Sequence, residues 1–186
     1  TYIDTNNKLF NSCTAPHHRV GALARDLPPQ LTRMVEDHGV CLSSCMDRWD
    51  DDLVLQAFNR SLILAPQIYG NPWLLRDDEY PKLARIYNLC RRYGRLLTSG
   101  MVLPEEIYGP SAVSRGDDAT RLVTLRNLTW NPVTYQVRLD DAIGLKAVSK
   151  VELRSFHPYE RILGRFERGA TVPITVEPFR ACLLLA

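Results

Sequence analysis

The apolar positions change rhythm part-way along the chain. Through residues 1–98, short apolar runs alternate with segments of helical spacing, the pattern of β/α units. Residues 40–46 form an apolar run that ends in Asp47-Arg48-Trp49, consistent with a buried parallel strand. Over 51–61, Leu53, Val54, Ala57 and Phe58 share one helical face, with Asp50 or Asp51 available to cap its start. Residues 62–65 read as another buried strand, closed by Pro66. The clearest helix begins near Tyr80. Pro81 suits its first turn, the acids at 77–79 favour its N-terminus, and Leu83, Ile86, Tyr87, Cys90, Tyr93 and Leu97 make its apolar stripe. A shorter helix carrying Leu31, Met34 and Val35 follows Pro28-Pro29 and stops at Gly39.

From residue 119 the period becomes two. Tyr135, Val137 and Leu139 alternate with Gln136 and Arg138, and Val172, Ile174 and Val176 repeat the alternation before Leu183 and Leu185 close the chain. Trp130-Asn131-Pro132 marks a turn between the first two strands, and residues 141–144 a second. About six short strands fit, enough for a small sandwich. Between the two textures, residues 99–118 are rich in Gly, Pro and Ser around the acids Glu105 and Glu106, and read as a linker or a wrapping loop.

Three β/α units cannot close a sheet on themselves, since a barrel needs eight strands and an open parallel sheet needs both faces covered. The expected fold is therefore α/β plus all-β. Residues 1–98 would form the C-terminal part of a (β/α)8 barrel, 99–118 a linker, and 119–186 a small antiparallel β-sandwich. Tyr2-Ile3-Asp4 reads as a strand in progress, and no initiator Met or signal pattern precedes it. The expected partner for the first half is the remainder of the same polypeptide, N-terminal to Thr1.

Composition narrows the function classes. Hydrophobic residues make up 45% and charged residues 24%, and the formal net charge is +2, an ordinary globular balance with no basic stripe for nucleic acid. No apolar run approaches the roughly 20 residues needed to cross a bilayer. The five cysteines, at 13, 41, 45, 90 and 182, include no CxxC pair and read as buried free thiols. No metal site or cofactor is expected. His17-His18 lacks a nearby acid at ligand spacing, and His157 falls in the second half, remote from the strand ends.

Barrel enzymes keep their chemistry at the C-terminal ends of the strands. Three such ends can be read here: Asp4 with Asn6, then Asp47-Arg48-Trp49, then Gln67, Tyr69, Asn71 and Trp73. Acids, amides and aromatics together suit a sugar, whose hydroxyls pair with polar groups while rings stack on its apolar face. Glycoside hydrolysis usually takes two carboxyls, and Asp4 and Asp47 stand at the ends of different strands. They are the candidate catalytic pair; Asn6, Arg48, Trp49, Gln67, Tyr69, Asn71 and Trp73 are the candidate substrate contacts. Each has a plainer reading. Asp4 could cap a turn, Asp47 could pair with Arg48 or Arg60, residues 50–52 could be first-turn helix charges, and Trp49 and Trp73 could be packing aromatics.

The run from Phe58-Asn59-Arg60 through Pro66-Gln67-Ile68-Tyr69-Gly70-Asn71-Pro72-Trp73, the helix after Tyr80, and the stretches Thr124-Leu125-Arg126-Asn127 and 135–140 together resemble the end of (β/α)8-barrel glycosidases of the α-galactosidase/melibiase group. The last of these stretches is similar to the first hairpin of the domain that ends such enzymes. The resemblance implies catalytic aspartates at strand ends, an oligosaccharide or polysaccharide substrate, an extracellular or periplasmic location, and a β-domain that packs on the last barrel helix. Tyr2 stands where that group carries a lysine two residues before its nucleophile. A second reading is a non-catalytic carbohydrate-binding or structural interaction module, for which Trp130 and Tyr159 are the platform candidates. A barrel lyase or esterase is a third, and the chain has no GxSxG elbow to support it.

Overall fold

A computed structural model describes residues 40–41, 49–59, 68–69, 73 and 75–186. Three layers lie on one another: a pair of helices, a six-stranded antiparallel sheet and a two-stranded antiparallel sheet. Strand β1 (Val40–Cys41) pairs in parallel with β2 (Ile68–Tyr69). Between them runs helix α1 (Trp49–Val54), which continues as a π turn over Leu55–Asn59. Helix α2 (Tyr80–Tyr93) follows, with a 3-10 turn at Leu96–Thr98. After these come β3 (Gly100–Val102), the short helix α3 (Glu105–Tyr108), β4 (Val113–Gly116), β5 (Arg121–Arg126) and β6 (Val133–Arg138). The chain ends with β7 (Lys150–His157), β8 (Arg161–Glu167), β9 (Thr171–Val176) and β10 (Ala181–Leu185). The large sheet has the order β3-β4-β5-β10-β7-β8; β6 and β9 form the small one.

The burial patterns follow from the layering. β6 and β9 bury alternate residues only, Tyr135 and Val137 against Val172, Ile174 and Val176, because one face meets the large sheet and the other meets water. β5 buries all six of its residues. Val123 and Leu125 join Leu184 and Cys182 in the sandwich core, while Leu122 joins Leu183 and Phe156 on the opposite face. There they meet Leu53, Val54, Ala57 and Phe58 of the first helix and Ile86 and Leu89 of α2. At ~25 cal/mol per Å² of apolar surface, each buried Leu, Ile, Val or Phe contributes roughly 1.5–3 kcal/mol, so the helices are held to the sheet by a core of their own.

Polar groups fix the same seam. Asn59, fully buried at the end of the π turn, donates to the Ser111 carbonyl (2.7 Å) and to Thr124 Oγ1 (3.1 Å). The Arg115 guanidinium on β4 donates from Nε (3.0 Å) and Nη2 (2.7 Å) to the Asn59 carbonyl and from Nη1 to that of Leu97 (3.2 Å). It thus caps both helical segments at their negative ends. Burial lowers its pKa to about 10.

Several expectations are corrected. Residues 99–118 hold β3, α3 and β4, two strands registered into the large sheet through Val113↔Thr124 and Val102↔Val113. Their Gly and Pro residues punctuate short strands. Gly109 sits at φ +80, and a Cβ there would stand 2.4 Å from Tyr135 Oη. The turn at 130–132 is present, but β5 and β6 belong to opposite sheets, so the segment is an arch between layers and not a hairpin. Asn127 organises it, donating to the carbonyls of Asn131 (2.7 Å) and Val176 (3.0 Å) and accepting from Thr129 N (2.8 Å). The parallel ladder lies at Ile68–Tyr69, beyond Pro66; the expected strand at 62–65, the helix near 31–35 and residues 1–39 fall outside the described residues. β10, read as half-buried, is a central strand covered on both faces. No helix among the described residues is long and apolar enough to cross a membrane.

Candidate functional site

Of the residues singled out from sequence, Asp4, Asn6, Asp47, Arg48, Gln67 and Asn71 lie outside the described residues. Trp49 opens α1, Tyr69 lies on β2, and Trp73 stands 87% exposed ahead of α2. The described residues bring no two of these together as a site. What they do bring together is a buried charge cluster immediately after Asp47-Arg48, where the N-terminus of α1 meets the end of the large sheet.

Asp50 and Asp51 occupy the first turn of α1, where the helix dipole favours negative charge. Both are almost fully buried. Asp51 Oδ1 makes a very short hydrogen bond with His157 Nε2, across 106 positions of sequence. Arg180, just before β10, grips the same carboxylate with Nε 2.7 Å from Oδ2 and Nη2 3.2 Å from Oδ1. Its Nη2 also lies 3.3 Å from Asp50 Oδ2, which Lys82 of α2 approaches at 3.6 Å. For Asp50, burial pushes the pKa up, but His157, Arg180 and Lys82 outweigh it and hold the carboxyl below the usual carboxylate range. Arg180 is opposed by its own burial and still raised by Asp51 and Asp50. Two carboxylates thus face two cations, and the imidazole sits entirely out of solvent.

The arrangement suits fastening more than catalysis. A His-Asp pair is the orienting half of a nucleophilic triad, which also needs a hydroxyl or thiol on the ring's other nitrogen. His157 Nδ1 is buried and has no hydrogen-bond partner among the described residues. The Ser155 hydroxyl donates to the His157 carbonyl (3.3 Å), and the Cys182 thiol is pushed up by burial to about 12 and stays protonated. Asp50, Asp51 and His157 also offer three ligand atoms within 4.8 Å of one another. Arg180 and Lys82 already neutralise those oxygens from 2.7 to 3.6 Å, so a dication there would meet two positive charges.

From sequence His157 falls in the second half, remote from the strand ends, and a β-bulge is what brings it to α1. Leu184 pairs with Ser155 and Leu183 with His157, so Phe156 is an extra residue on β7. Strict alternation from Leu153 would aim His157 into the sandwich core. The bulge re-aims it toward α1, beside Phe156, which packs in the helix-side core. Arg180 carried no local signal either, since it lies in a turn at Glu177–Arg180. Asp50 and Asp51 are first-turn helix charges, as their plainer reading had it, and they are buried ones.

Solved structures place this architecture. A protein from Bacillus halodurans assigned as an α-N-acetylgalactosaminidase matches 76% of the chain at 19% identity with a TM-score of 0.53, over 31% of its own length. α-Galactosidase I from Mortierella vinacea matches 96% of the chain at 11% identity with a TM-score of 0.53, over 45% of its length. The α-amylase of Geobacillus thermoleovorans, solved with acarbose, matches 89% at 12% identity with a TM-score of 0.51, over 46% of its length. The chain shares the fold of part of these glycosidases. It spans less than half of each. The likeness read from sequence is thus present in the fold, as a match to part of each of these chains that fits a β-sandwich portion. No family model matches the chain, and no curated protein matches it.

Proposed function

We propose that the chain is part of a glycoside hydrolase, with residues 1–98 supplying the last strands and helices of a (β/α)8 barrel and the sandwich supporting them. One observation carries the reading. A parallel β–α–β step, β1 to α1 to β2, is docked on a β-sandwich, and the start of its helix is clamped there by Asp50 and Asp51. That helix start follows Asp47-Arg48 directly, on the side of a β/α unit where barrel enzymes hold their active-site loops. The clamp fixes the root of that loop. The fold shared with part of an α-galactosidase and an α-amylase supports the same class.

In this reading Asp4 and Asp47 are the two carboxyls, one donating a proton to the leaving oxygen and the other acting as nucleophile or base. Asn6, Arg48, Trp49, Gln67, Tyr69, Asn71 and Trp73 line the sugar. The segment N-terminal to Thr1 provides the remaining strands, and the enzyme works outside the cytoplasm. The test is turnover of glycosides by the polypeptide that contains this chain, with Asp4→Asn and Asp47→Asn compared with wild type. Each should lower kcat by about 1,000-fold or more, the scale of a lost catalytic acid or base. Turnover that persists in both variants removes the assignment of these two acids.

A further inference from the structure

The most exposed aromatic side chains of the described residues gather at one end of the sandwich. Among the described residues, the exposed aromatic side chains are Trp73, Tyr80, Trp130, Tyr159 and Phe179. Trp130 lies in the β5–β6 arch, Phe179 in the β9–β10 turn and Tyr159 in the β7–β8 turn. The registers Arg126↔Ala181 and Leu183↔His157 put these three connections at the same end of adjacent strands β5, β10 and β7. With strands 4.7–4.9 Å apart, the three loops emerge within roughly 10 Å of one another. Trp73 and Tyr80 lead into the N-terminus of α2. The pairs Lys82–Asp50 and Arg85–Glu160 hold that helix start against α1 and the β7–β8 turn, at this same end.

We infer that this end is a glycan-binding platform, continuous with the active face of the proposed hydrolase and taking pyranose rings remote from the bond cleaved. The choice of ligand rests on the hydrolase reading; the platform itself rests on geometry. Trp130 is 84% exposed yet held edge-to-face by Phe179, with ring centroids 4.7 Å apart and planes at 84°. Phe179 adopts a left-handed backbone at φ +56, which a bulky residue rarely does without a surrounding structure that enforces it. The Asn127 hydrogen bonds stiffen the arch beneath the indole. The ring is therefore set in place before any ligand arrives, and little ordering remains to be done on binding. Tyr159 is 70% exposed in the turn that follows His157 on β7, so this ring stands two residues from the buried charge cluster. Separate exposed rings match a chain of sugars, whose apolar faces stack on aromatic side chains.

The test is affinity electrophoresis of the full polypeptide in gels containing galactomannan, soluble starch or xylan. The wild type should be retarded in at least one gel. Trp130→Ala and Tyr159→Ala should each weaken that affinity about 10-fold, the scale of one lost stacking contact. Trp130→Phe should keep part of it, and Lys150→Ala, at the opposite end of β7, all of it. Thermal melting checks that each variant folds. No retardation of wild type in any gel, or equal retardation of Trp130→Ala, overturns the platform. Retardation that depends on Trp130 in a polypeptide that hydrolyses no glycoside keeps the platform and rejects the hydrolase reading. Hydrolysis with retardation indifferent to Trp130 does the reverse.

Discussion

Replacing Arg180 by methionine tests whether the buried charges hold the two halves of the structure together. The variant keeps an apolar stem and removes the guanidinium that lies 2.7 Å from Asp51 Oδ2 and 3.3 Å from Asp50 Oδ2. Both carboxylates then remain buried, with Lys82 and His157 as their partners. Removing one partner of a buried ion pair costs ~3–5 kcal/mol, and the partial exposure of Arg180 argues for the lower end, about 3 kcal/mol. For a protein of this size that lowers Tm by about 6–12 °C. Asp51→Asn in the Arg180→Met background removes the stranded charge, so the double variant should be more stable than the two losses summed, by about 2 kcal/mol. The deficit depends on pH in a definite direction. In the wild type Asp50 is depressed, so its contribution is present above the ordinary aspartate value of ~3.9 and is lost as pH falls through the lower folded value. Without Arg180 much of that contribution is absent at neutral pH, so the gap between variant and wild type should narrow below about pH 4. Differential scanning calorimetry across pH measures all of this. A Tm loss under about 2 °C at pH 7 would place the pair with surface ion pairs and refute the reasoning.

Other outcomes follow from single positions. Gly109→Ala adds a Cβ 2.4 Å from Tyr135 Oη at φ +80, and should cost about 2–3 kcal/mol in chemical denaturation. Asn127→Ala strips partners from the Asn131 and Val176 carbonyls, and an expected loss of about 2 kcal/mol should come with faster amide exchange over 127–132. Cys182, pushed up to about 12, should resist thiol reagents at pH 8 in the native protein and react on unfolding. Because its folded pKa is raised, the folded form keeps its proton while the unfolded form ionises. That effect should lower stability by ~1.4 kcal/mol per pH unit once pH exceeds about 9, and Cys182→Ser should reduce the alkaline slope, to which the partly buried Cys90 and Tyr87 also contribute.

Where local periodicity decides structure, the sequence could be read. Leu53, Val54, Ala57 and Phe58 point one way because helical spacing puts them there, and all four are buried. Val172, Ile174 and Val176 do the same at period two. The strands at 100–102 and 113–116 escaped because each is too short to show a period beside the glycines and prolines that end it. β10 looked half-buried because Leu183 and Leu185 alternate, yet burial of Ala181, Cys182 and Leu184 follows only from layers on both sides. The charge cluster was the least legible part. It joins residues more than 100 positions apart, and a one-residue bulge decides which face His157 takes.

Hydrolysis decides the proposed function. The direct measurement is the release of 4-nitrophenol from a panel of α- and β-linked 4-nitrophenyl glycosides by the polypeptide containing this chain, with Asp47→Asn beside it. Sustained turnover of at least one sugar by the wild type is expected, with a fall of about 1,000-fold or more in the variant. No turnover across the panel by a folded wild type, or equal turnover by both proteins, would contradict the proposal.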